Sequence, residues 1–168
     1  REFTIRILRK IMENAEEEKI KELMQIWDMN VKDYGVMHRI LPEKADVYRI
    51  YADFLGEKSL SIQERLRYSA EAEFLDYKQA RELHEHAENE YFDYDMHSSF
   101  SEFQLCWKLL RRIQFYQNLT GDNLIENEEY DQTCNSVLLY LVKAGLDSGR
   151  EFNEIKGYAE EYLRRESR

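Results

Sequence analysis

The stretch Leu41-Pro42-Glu43-Lys44-Ala45-Asp46-Val47-Tyr48-Arg49-Ile50-Tyr51-Ala52-Asp53-Phe54-Leu55-Gly56 decides the fold. It holds the only proline of the chain, then an aromatic-rich apolar pattern, then a glycine. The ring of Pro42 clashes with helical continuation and biases Leu41 away from the α region, so any helix before it must close there. Tyr48, Tyr51, Ala52 and Leu55 recur at helical spacing, and Gly56 stands where a left-handed cap would fall. The stretch reads as a short, bounded helix, with Asp46 as its cap or in its first turn, where negative charge suits the helix dipole.

Longer helical patterns flank it. Upstream, Phe3, Ile5, Ile7, Leu8, Ile11 and Met12 give a first helix with one apolar side and a soft end near Asn14. From Glu16, the residues Ile20, Met24, Trp27, Val31 and Tyr34, with Leu23 and Met37 beside them, form one face of a long second helix that Pro42 stops. Downstream, Ser61 is a capping serine with Glu64 in capping-box register. Leu66, Ala70, Phe74, Tyr77, Ala80, Ala87, Tyr91 and Tyr94 then line one long helix without an internal breaker. Tyr51, Ala52, Phe54 and Leu55 are expected to pack in the seam between the second, third and fourth helices.

Ser98, Ser99 and Ser101 read as the next break. Phe100, Phe103, Cys106, Trp107, Leu110, Ile113 and Tyr116 make a further helix, stopped around Gly121. Cys134, Val137, Leu138, Leu141 and Val142 carry a helix ending at Gly145, and Asp147-Ser148-Gly149 is the last turn. Phe152, Ile155, Tyr158, Ala159, Tyr162 and Leu163 close the chain on a helix with an Arg-rich end. No stretch alternates with the period of a strand. The expected class is all-α, built of antiparallel helical hairpins as an open array or a bundle of about six to seven helices. The phrase Ala52-Asp53-Phe54-Leu55 is echoed by Ala72-Glu73-Phe74-Leu75, as stacked helix pairs would echo one another.

With 168 residues, the chain suits one domain, 1–168, with a real core. Charged residues reach 35%, with few glycines and a single proline, which favours long helices with solvated outer faces. The 12 tyrosines can fill seams between helices while keeping their hydroxyls wet. A formal charge of −10 repels phosphate backbones and disfavours a nucleic-acid partner. Cys106 and Cys134 sit in apolar helical patterns and read as buried free thiols. Asn118-Leu119-Thr120 fits the glycosylation acceptor pattern, which bears only on a secretory chain. No apolar run approaches the roughly 20 residues of a membrane span. Beginning at Arg1, the chain reads as a fragment of a larger protein, and any membrane segment is expected outside it.

Site chemistry is sparse. His84 and His86 stand two apart and so point to different helix faces, which keeps both from one ion, and both read as solvated. Neither zinc-type cysteine spacing nor paired Glu-x-x-His is present. A Gly-x-Ser-x-Gly elbow and a Gly-rich phosphate loop are missing too, and Cys106 beside Trp107 favours an inert thiol. The reading is therefore a non-enzyme, with no catalytic residues, no cofactor and no metal. One segment invites a partner. Glu82, Glu85 and Glu88 precede Tyr91, Phe92 and Tyr94, and aromatics among acids suit a basic, partly apolar protein. The alternative is that the tyrosines belong to the core and the acids solvate the far face.

Tyr34, Met37, Leu41-Pro42, Val47-Tyr48-Arg49-Ile50-Tyr51-Ala52-Asp53-Phe54-Leu55 and Ala70-Glu71-Ala72-Glu73 together resemble a phrase of the Tiny macrocysts proteins. There an amphipathic helix ends in leucine and proline, a Leu-Arg-x-Tyr-Ala-x-Phe-Leu phrase follows, and then a helix with an Ala-x-x-x-Glu ending. The resemblance covers roughly Ile20 to Tyr77. Tyr48 stands where the family has leucine, and Gly56-Glu57-Lys58-Ser59 lacks its acidic, asparagine-containing turn. The resemblance implies TPR-like helices, the soluble part of large multipass membrane proteins of protists, on the cytosolic side, acting as a protein-interaction or scaffolding module. Tyr-Ala-x-Phe-Leu also occurs in HAT repeats, so a scaffold in RNA processing is the alternative, with a ligand-binding helical bundle as a third reading.

Overall fold

The computed structural model describes residues 2–30, 34–113 and 125–168. Every regular element among them is helical: α1 (Glu2–Glu13), α2 (Glu17–Asn30), a 3-10 turn (Tyr34–Val36), α3 (Met37–Ile40), α4 (Ala45–Glu57), α5 (Ile62–Phe92), α6 (Met96–Arg112), α7 (Asn127–Asp147) and α8 (Phe152–Glu166). The all-α class follows the apolar periods. Eight α-helices stand among the described residues, against six to seven expected, because the long second pattern is divided. Its first piece, α2, is described to Asn30, whose side-chain amide donates to the Ile26 carbonyl at 2.7 Å. The face resumes in the 3-10 turn and α3, and Leu41 is extended before Pro42, at φ −64° and ψ 124°. Val31, Tyr116, Gly121 and the Asn118 acceptor lie outside the described residues.

Helix ends are set by local hydrogen bonds. Leu60 N–H donates to the Leu55 carbonyl and Ser59 N–H to that of Gly56, with Ser59 at φ 52°. This is a Schellman closure, and its left-handed residue is Ser59 rather than the expected Gly56, which lies inside α4. At Gly56 a Cβ would come 2.9 Å from the Arg65 guanidinium carbon. The same closure ends α5, with Asp95 N–H on the Glu90 carbonyl and Tyr94 at φ 64°, and ends α7 with Gly149 at φ 73°. Gly145, expected as a stop, lies inside α7. Ser61 caps α5 as expected, its oxygen accepting from Glu64 N–H at 3.4 Å. Asp46 sits in the first turn of α4.

Two compact units divide the chain. Among the described residues the first runs to Leu75 and the second begins at Asp76. In the first, α1 packs on α3 and α2 on α4. Its core holds Ile5, Met12, Ile20, Met24, Met37, Ile40, Leu41, Val47, Ile50, Tyr51, Ala52, Phe54, Leu55 and Tyr68. Tyr68 meets Tyr51 edge-on at 4.8 Å and Tyr48 at 5.3 Å. Tyr51 is fully buried and its hydroxyl has no hydrogen-bond partner among the described residues, so it is not one of the wet tyrosines expected. The first helix is apolar on two sides. Ile5, Leu8 and Met12 turn inward, whereas Phe3, Ile7 and Ile11 are exposed one turn apart.

In the second unit, α6 packs on α7 and α7 on α8, with Tyr77, Ala80, Leu83 and Ala87 of α5 joining the core. The serines expected as a break lie inside α6. Asp95 caps that helix by accepting from Ser98 N–H, and the buried Ser99 hydroxyl donates to the Ala87 carbonyl at 2.8 Å. Cys106 and Cys134 are free and buried. Burial pushes the Cys106 thiol up to about 12, with the neighbouring Cys134 adding to the shift. In α8 only Ile155 is fully inside, while Phe152 and Leu163 of the expected face are exposed.

The two echoed phrases do not occupy equivalent places. Phe54 is buried and Asp53 exposed, but Phe74 is 40% exposed and Glu73 is buried. The α5 stripe runs instead through Tyr68, Ala72, Asp76, Tyr77, Ala80 and Ala87. Asp76, almost fully buried, lies 3.6 Å from Arg112.

Candidate functional site

The acid–aromatic segment occupies the last three turns of α5 and its closing turn. Glu82 and Glu85 are exposed. Glu88 is turned toward α7, where its carboxylate accepts from the Tyr140 hydroxyl at 2.9 Å. Tyr91 does likewise, donating to the Asp147 carboxylate at 2.8 Å and meeting the Tyr140 ring edge-on at 5.4 Å. Beyond them, Phe92 is 63% and Tyr94 86% exposed. The six residues thus separate by helix face. Glu88 and Tyr91 tie α5 to α7, as residues three apart on one helix can. Glu82, Glu85, Phe92 and Tyr94 remain open to solvent.

The aromatic cluster under this segment is dense. Tyr140 stacks on Phe103 with centroids 5.0 Å apart and planes 9° from parallel, and it also meets Phe92 edge-on at 6.5 Å. Burial, with the Glu88 carboxylate adding to it, pushes the Tyr140 hydroxyl up to about 12. The Tyr91 hydroxyl is raised by its hydrogen bond to Asp147 and by burial.

The two histidines part as their spacing requires, but one is not solvated. His84 points into the second unit, its Nε2 2.8 Å from the Ser136 hydroxyl and its ring edge-on to Phe103 at 5.7 Å. Burial lowers its pKa below 6.5, while Glu88 opposes that shift. His86 lies on the outside, with Nδ1 2.6 Å from a Glu102 oxygen and 3.9 Å from Glu90. Its pKa is raised above 6.5, first by the hydrogen bond to Glu102. Sequence reading missed the partner Glu102, because only the α5–α6 packing brings it to His86. The exposed Phe3, Ile7 and Ile11 were equally hidden within a pattern that reads as a single apolar side. Four-residue spacing among those three was the available signal.

Among the described residues, no helix is long and apolar enough to cross a membrane. Compared with known proteins, the chain matches no family model, no curated protein and no solved structure.

Proposed function

We propose that the chain is a non-catalytic protein-interaction module whose partner is basic and partly apolar. The observation that carries this reading is the exposure of Phe92 and Tyr94 beside a run of carboxylates. A bulky tyrosine at φ 64° costs folding energy, which a retained contact role would offset. Carboxylates steer a cationic partner toward the surface and the two rings supply area to bury. The resemblance to the Tiny macrocysts proteins supports the same class of role, a TPR-like scaffold in the cytosolic part of a larger protein. A HAT-type scaffold would use the same kind of surface and differs only in its partners.

The test is recovery of partners from native extract at low and high salt. Glu82→Lys/Glu85→Lys and Phe92→Ala/Tyr94→Ala are the informative variants, since Glu88 and Tyr91 also hold α7. A partner lost with both variants and weakened by salt supports the reading. Equal recovery by parent and variants at both salt concentrations overturns it.

A further inference from the structure

The second unit brings three metal-ligating side chains to one place on the α5–α6 face. His86 and Glu90 stand one turn apart on α5, and Glu102 reaches them from α6. One ligand atom from each lies within 4.8 Å of the other two. The imidazole Nδ1 is the hub, 2.6 Å from Glu102 Oε2 and 3.9 Å from Glu90 Oε1. A second feature is independent of that spacing. The other oxygen of Glu90, Oε2, is buried and has no hydrogen-bond partner among the described residues. A buried acceptor left unmatched is costly unless something fills it.

The geometry assigns His86, Glu90 and Glu102 to a binding site for a divalent first-row transition cation of the zinc class. One imidazole nitrogen with two carboxylate oxygens is a borderline donor set, suited to zinc and its neighbours in preference to calcium or magnesium, which take oxygen donors. Adjacent donors around a tetrahedral ion stand about 3.3 Å apart, between the 2.6 Å and 3.9 Å that now separate Nδ1 from the Glu102 and Glu90 oxygens. Three protein donors leave a position for water or for a group carried by a partner. The frame is fixed locally. The Ser99 hydroxyl bonds the Ala87 carbonyl, one residue from His86, and Asp95 joins the end of α5 to the cap of α6. The cation would satisfy the unmatched oxygen of Glu90. This site stands apart from Phe92 and Tyr94 and does not rest on the interaction reading.

The experiment is calorimetric titration of the whole chain with zinc chloride alone in a non-coordinating buffer, repeated with cobalt(II) to read its visible spectrum. The expected result is saturable uptake of a single ion per chain, with d–d bands of a low-coordinate site. His86→Ala and Glu102→Gln are each expected to weaken binding about tenfold or more, and Glu90→Gln to do the same. His38→Ala, an exposed histidine on α3, is expected to leave it unchanged. Circular dichroism establishes that each variant is helical; because His86 is exposed, its alanine variant keeps the test decisive. Absence of saturable binding overturns the assignment. So does unaltered affinity in His86→Ala, or uptake spread over several weak sites, which would mark a diffuse cloud around an acidic surface.

Discussion

Ile155 approaches Gly145 so closely that a Cβ on Gly145 would lie 2.4 Å from Ile155 Cγ2 and 3.1 Å from a Phe100 ring carbon. The glycine is therefore where α6, α7 and α8 come together, and its role is space, since it lies inside a helix. Gly145→Ala is expected to destabilise the protein by about 1–3 kcal/mol, despite the better helix propensity of alanine. Pairing it with Ile155→Ala should recover part of that loss relative to the sum of the single changes. Denaturant unfolding of the three variants measures both effects, and additive losses would mean the two sites do not meet.

Tyr94 makes the opposite case, a side chain where glycine belongs. Its φ of 64° closes α5 in a conformation that a large L-residue adopts at a cost. Tyr94→Gly is expected to raise stability by about 1 kcal/mol, partly offset by greater freedom in the unfolded chain. A fall in the thermal midpoint would show instead that the exposed ring makes a stabilising contact.

Tyr51 and Phe54 separate polar from apolar burial within one helix. Phe54→Ala is expected to cost roughly 3–5 kcal/mol, the usual loss for a buried phenylalanine. Tyr51→Phe is expected to be neutral or stabilising, because it removes a buried hydroxyl with no partner among the described residues. Urea midpoints of the two variants test this directly. A large loss for Tyr51→Phe would show that the hydroxyl is bonded in solution.

The histidines give opposite pH signatures. His84 has a folded pKa below its unfolded value of 6.5, so the folded state resists protonation and stability falls as pH drops below that value. His86 has a raised folded pKa, so its contribution is present below 6.5 and is lost as pH rises through the folded value. His84→Gln should flatten the fall in stability on the acid side, and His86→Gln should flatten the loss on the alkaline side. Unfolding midpoints between about pH 5 and 8 distinguish them. Identical profiles in both variants would contradict the assigned environments.

What the sequence made legible was period, and what it hid was placement. Tyr51, Ala52 and Leu55 read as an apolar face and are a buried one, because a helix of α4's length has only one side to bury. The echo Ala72-Glu73-Phe74-Leu75 misled for the same reason in reverse. In a 31-residue helix an apolar pattern can be met by several registers, and tertiary packing chose the one that leaves Phe74 outside. The 3-10 turn at Tyr34–Val36 was invisible to periodicity, since Trp27, Tyr34 and Met37 keep helical spacing. At the candidate surface, composition singled out one segment but could not tell Glu88 and Tyr91, held by Tyr140 and Asp147, from the exposed Phe92 and Tyr94. Those partners lie 52 and 56 residues further along the chain, beyond the reach of any local pattern.

Asp95 closes α5 through its amide and opens α6 through its carboxylate, so one residue of the three between the helices serves both ends. The joint consequently fixes phase as well as direction. Inserting or deleting a single residue between Phe92 and Met96 would turn α6 by about 100°. Phe100, Phe103, Cys106 and Leu110 would leave the core together, and Glu102 would swing away from His86. Relatives of this chain that keep its second unit should therefore vary in residue type at this junction, but not in length.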